Sequence, residues 1–209
     1  MTISARYATL AVFATLGLAH NLAIAAADAA HGQILAYTCL GCHGIPNYRN
    51  VYPTYDVPKL SGQRADYLVT ALKAYKSKER SHATMHAHAA SMSEQDMADI
   101  AAYLSGTPVK SAAAAPVGSV PKAAQTCTAC HGTDGVGITA DYPTLSGQHE
   151  SYLARALTDY KRGGRRNPVM MGFAAQLSEA DIEVVAKYFS EQKPPLETLY
   201  RRTTRFAAR

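Results

Sequence analysis

The sequence predicts an all-α protein made of two tandem, duplicated domains. Three observations carry that prediction. A pentapeptide occurs twice, as Cys39-Leu40-Gly41-Cys42-His43 and Cys127-Thr128-Ala129-Cys130-His131, and takes up all four cysteines. A longer set of residues recurs at a fixed offset of 85, and self-similarity of that length marks a duplicated unit. The apolar residues of each copy fall at helical spacing, and no alternating run of β-branched residues announces a sheet.

The pentapeptide is the attachment signal for c-type haem. Two thiols three residues apart share one helical turn, and each can form a thioether to a porphyrin vinyl group. The histidine after the second thiol then lies under the iron and offers a nitrogen ligand. Paired C-x-x-C can also make a four-thiolate zinc site, and a single pair can be a redox disulfide. Neither alternative needs a histidine after both pairs, and the 84 residues between Cys42 and Cys127 exceed a zinc-ribbon gap. The expectation is therefore two covalently attached c-type haems, tethered by Cys39, Cys42, Cys127 and Cys130, with His43 and His131 on the irons.

In chain order, residues 1–26 read as a signal peptide. Arg6 supplies the positive region, the run from Ala8 to Leu18 is apolar but too short to span a bilayer, and small residues follow at Ala25-Ala26-Ala27. An uncleaved anchor is the competing reading; His20 and Asn21 interrupt the apolar run. Export suits a haem attached outside the cytoplasm and predicts a periplasmic protein.

Residues 27–106 form the first predicted domain. A short helix over His31 to Tyr37 leads into the first pentapeptide. Tyr67, Leu68, Ala71, Leu72 and Tyr75 make one face of a second helix. Ser93 and Asp96 form a capping box ahead of an amphipathic stripe of Met97, Ile100, Ala101 and Leu104, which Gly106 and Pro108 stop. Residues 107–120, rich in Ala, Pro, Ser and Gly, read as a short linker.

Residues 121–193 repeat the pattern. Pro121 suits the first position of a short helix running to Thr126. Tyr152, Leu153, Ala156, Leu157 and Tyr160 match the earlier face, and Ser178 with Asp181 caps the last helix, which Pro194-Pro195 stop. Residues 194–209 are a basic tail with Arg201, Arg202, Arg205 and Arg209, suited to salt-sensitive docking on an acidic partner or peripherally on an anionic membrane; a frayed terminus without a role is the other reading.

The repeat also selects a second axial ligand. Met85 and Met170 are 85 apart, and each lies seven residues before the equivalent pair Met92 and Leu177. A thioether opposite histidine raises the potential of a haem. Met92 and Met97 correspond to Leu177 and Ile182, so both read as packing residues. His82, His86 and His88 crowd Met85 and stand as alternative ligands for the first haem. The carbonyls of Pro58 and Pro143 are candidate acceptors for the ring N–H of His43 and His131; a plain turn proline is the other reading.

With these residues in place, the chain resembles the di-haem cytochrome c4 family from about Ala30 to Gln192. The resemblance rests on two C-x-x-C-H motifs, on Pro58-Lys59-Leu60-Ser61-Gly62-Gln63 and Pro143-Thr144-Leu145-Ser146-Gly147-Gln148, and on the placed methionines. It implies tandem cytochrome c-like domains whose His/Met haems face each other, and electron transfer from a respiratory complex to a terminal oxidase. Departures are Met92 before Ser93, the loop with Tyr48, Tyr52 and Tyr55, the absence of a glycine matching Gly32 before Cys127, and the tail.

The net charge of +5 is modest and there is no basic stripe with interleaved aromatics, so nucleic acid is not expected as a partner. Three functions fit the residues. One is a mobile carrier between redox proteins, without a small-molecule substrate. Another is the electron-accepting subunit of a flavocytochrome c sulfide dehydrogenase-like complex. The third is an enzyme, a di-haem peroxidase or thiosulfate-oxidising cytochrome, which needs an iron with an open position. Ligation by both Met85 and Met170 leaves neither iron open.

Overall fold

The computed structural model describes residues 26–111 and 115–199. The signal-peptide expectation and the four tail arginines fall outside the described residues.

The first domain begins with α1 (Ala29–Leu35), two residues earlier than the sequence suggests, because the Asp28 carboxylate accepts from the Ala30 and His31 amides. Next come α2 (Leu40–His43), α3 (Ala65–Lys76), α4 (Ala83–Ala90) and α5 (Glu94–Ser105). The predicted box at Ser93 and Asp96 caps α5, and Gly106 ends it with φ 54°. Leu68, Ile100, Ala101 and Leu104 close on Ala36 and Leu40 to form the core, with Met92 packed at its margin and Met97 1% exposed. Each fully buried Leu or Ile contributes roughly 1.5–3 kcal/mol.

One expectation fails here. A two-stranded antiparallel hairpin, β1 (Arg49–Val51) and β2 (Thr54–Asp56), stands between α2 and α3 with Asn50 opposite Tyr55. Its strands are three residues long and largely exposed, so they carry no buried alternating face for the sequence to display.

The second domain opens on a 3₁₀ helix, Lys122–Ala124, shorter than expected, with Pro121 one residue ahead of it as the cap. Then follow α6 (Thr128–His131), α7 (Glu150–Arg162), α8 (Pro168–Ala174) and α9 (Glu179–Ser190). Ala124, Leu153, Val185, Ala186, Tyr188 and Phe189 form the second core.

The halves join about an approximate two-fold relation that follows the repeat. The Gln63 side chain donates to the Thr144 carbonyl and accepts from the Thr144 amide, both at 2.9 Å. Gln148 does the same with Lys59, also at 2.9 Å. The shared motif places these glutamines, and its Gly62 and Gly147 take left-handed φ values of 86° and 63° that disfavour side chains. Arg80 and Arg165 pair as an isolated antiparallel bridge.

The start of the tail belongs to this joint. The Leu196 amide donates to the Ser146 carbonyl, Glu197 pairs with Ser61, and Leu199 packs against the first core. Leu196 is 1% exposed. The last segment thus crosses from the second domain back to the first before residue 200.

Candidate haem sites

Both pentapeptides fold alike. The first thiol sits at the N-cap of a one-turn helix, Cys39 on α2 and Cys127 on α6, and the second thiol and the histidine lie on that same turn. All four cysteines are partly exposed and none is in a disulfide. Among the described residues no cluster of three or more His, Cys, Asp or Glu gathers into a metal-binding group, so the four-thiolate zinc alternative has no geometry behind it.

The prolines settle their own question. His43 Nδ1 lies 2.9 Å from the Pro58 carbonyl oxygen, and His131 Nδ1 lies 3.1 Å from that of Pro143. A carbonyl only accepts, so Nδ1 carries the proton and Nε2 keeps its lone pair. Burial pushes both histidines below their ordinary value, against the smaller opposing pull of the carbonyls. Each ring is therefore a neutral, oriented nitrogen donor at neutral pH. His131 is further wedged by the edges of Tyr142 and Phe189, at centroid distances of 6.2 and 6.5 Å.

In the second domain the predicted residues converge. Cys127, Cys130, His131 and Met170 line one cavity of about 690 Å³, together with apolar Leu145 and Phe189. That volume is in the range of roughly 300–1,000 Å³ expected of a ligand pocket. Two tethering thiols, an imidazole with a free Nε2 and a thioether on an apolar wall fit a covalent haem.

The methionines occupy matched places. Met170 is the third residue of α8, and its amide donates to Asn167 Oδ1 at 3.1 Å. Met85 is the third residue of α4, and its amide donates to His82 Nδ1 at 3.2 Å. Met85 is half-buried. Of the competing histidines, His82 thus caps the helix, His86 Nδ1 lies 2.9 Å from the Tyr75 carbonyl oxygen, and His88 is exposed.

Two residues escaped the sequence reading. Arg80 and Arg165 line the cavity of the second domain, although Arg80 comes from the first. The offset of 85 that relates them was the signal available.

Residues 29–108 match the family described as "Cytochrome c", and residues 121–189 the family described as "Cytochrome C oxidase, cbb3-type, subunit III". The chain is 38% identical to cytochrome c4 of Pseudomonas aeruginosa, over 83% of this chain and 92% of that protein. It is 31% identical to a thiosulfate dehydrogenase electron acceptor of Stutzerimonas stutzeri, over 83% and 92% of the respective chains. The crystal structure of reduced cytochrome c4 from Pseudomonas stutzeri superposes with a TM-score of 0.62 at 32% identity, covering 80% of this chain and all of that one. Two cytochrome c domains, each with its haem-attachment cysteines, and likeness of this extent lead to one conclusion: the chain belongs to the di-haem cytochrome c4 family and carries two covalent c-type haems.

Proposed function

We propose that this protein is a periplasmic electron carrier whose two irons are each held between a histidine and a methionine, His43 with Met85 and His131 with Met170. One observation carries the reading. The same local construction, a proline carbonyl on the histidine and a side-chain cap on the methionine amide, recurs in both domains. The bound haems supply reversible one-electron chemistry. The chain's own residues fix both donors, keep the imidazoles neutral and surround the second site with apolar side chains.

His43 with Met85 and His131 with Met170, holding the two irons, would leave no open position for a small-molecule substrate. Likeness to cytochrome c4 supports a respiratory complex as donor and a terminal oxidase as acceptor. A second reading has its own support: a relative named as an electron acceptor of thiosulfate dehydrogenase aligns over most of the chain. In that case the protein takes electrons from a sulfur-oxidising enzyme without performing the oxidation.

Mature protein from the periplasmic fraction tests the carrier reading. A pyridine haemochrome assay is expected to give two haems per chain, and potentiometry two one-electron steps with no turnover of peroxide or thiosulfate. One haem per chain, or turnover of either substrate by the pure protein, overturns it.

A further inference from the structure

Two arginines face the cavity of the second domain without adequate counter-charge. Arg80 comes from the first domain and Arg165 from the second, and both line the cavity that holds His131 and Met170. They are 7% and 5% exposed. Each sits against two tyrosine rings: Arg80 against Tyr67 and Tyr75 at 5.3 and 5.6 Å, Arg165 against Tyr152 and Tyr160 at 5.2 and 5.7 Å. Each donates to one tyrosine hydroxyl, Tyr67 at 3.0 Å and Tyr152 at 3.2 Å.

These contacts leave charge and donors to spare. A guanidinium stays protonated and offers five N–H donors. Among the described residues no carboxylate lies within ion-pair distance of Arg80. Arg165 has only a 3.8 Å contact with Asp159, which already pairs with Arg155 at 2.8 Å. Glu79 and Asp141 also line the cavity, yet neither pairs with either arginine. Burying two like charges side by side is strongly unfavourable unless an anion joins them. A porphyrin carries two carboxylates, and the arginine fork matches a carboxylate in shape and charge.

We propose that Arg80 and Arg165 form a clamp, one guanidinium from each domain, on the carboxylates of the second haem, so that the first domain sets that haem's reduction potential. The proposal rests on the di-haem reading above. Reduction adds an electron, so nearby positive charge favours the reduced state and its removal lowers the potential.

The test uses the full holoprotein with Arg80→Gln, Arg165→Gln and Arg80→Lys. Haem count and the visible spectrum of each variant check the di-haem reading separately from the clamp. Both glutamine variants are expected to lower the potential of the same haem by about 59 mV or more, a tenfold loss in its reduction equilibrium. Arg80→Lys keeps the charge without the fork and is expected to lower it less; if Arg80→Gln fails to mature, this variant carries the test. Added inorganic phosphate is expected to leave the wild-type potentials unchanged. With two haems retained, unshifted potentials, or shifts on different haems, overturn the clamp. A phosphate response in the wild type that the variants lack assigns the arginines to a free anion instead.

Discussion

The two domains reach the same haem-site construction by different approaches. Counting back from the first cysteine of each pentapeptide, Ala36 and Ala124 correspond, and both are wholly buried. In the first domain that alanine follows α1, which packs on α5 so closely that a Cβ on Gly32 would lie 1.9 Å from the Asp99 carbonyl oxygen. In the second, Val120 stands in place of Gly32, and the approach shrinks to a 3₁₀ turn against α9. The caps differ in the same way, with His82 doing for Met85 what Asn167 does for Met170. The buried alanine, the histidine–proline contact and the capped methionine are therefore what the two domains share, while the helix leading in and the identity of the cap differ.

The largest effect that can break this comparison is at Gly32. In Gly32→Ala the new methyl meets backbone, so α1 must move off α5, and overpacking of this kind costs roughly 1–3 kcal/mol. Denaturant unfolding followed at the visible bands should show the loss in one haem domain. An unchanged midpoint would mean that the close crossing is not needed.

A smaller effect concerns the ion pair that only the first domain has. His31 Nδ1 lies 2.8 Å from Asp99 Oδ2, and the repeat places Ser119 and Val184 at the corresponding positions. The hydrogen bond to Asp99 raises His31 above its ordinary 6.5, and the same bond, with the Asp28 amide and Gln95, lowers Asp99 below 3.8. The histidine contribution is complete below about pH 6.5 and disappears as pH rises through the higher folded value. The aspartate contribution is present above about pH 3.8 and disappears as pH falls through the lower one. The stability advantage of the first domain over its His31→Gln variant should therefore shrink between pH 6 and pH 8, against the opposite trend of His43 and His82, which burial lowers. An advantage that is the same at both pH values would refute the assignment.

Much of this was legible in the chain because each feature has a local cause. Ser93 with Asp96 and Ser178 with Asp181 cap from three residues away, and the pentapeptides carry their own one-turn geometry. The hairpin was not legible, because Arg49-Asn50-Val51 and Thr54-Tyr55-Asp56 bury too little to impose a pattern. Arg80 and Arg165 look like solvated cations until the domain interface covers them. Leu196 and Leu199 sit in a stretch that reads as a polar tail, and their burial depends on a partner surface far away in sequence.

Whether a histidine and a methionine hold each iron in matched sites is read from the thioether-to-iron charge-transfer band at the red end of the oxidised spectrum, measured in Met85→Ala and Met170→Ala. Each substitution is expected to remove about half of the band, through one haem only, and the double variant all of it. A full band in Met85→Ala would rule out Met85 and return the first iron to His82, His86 or His88.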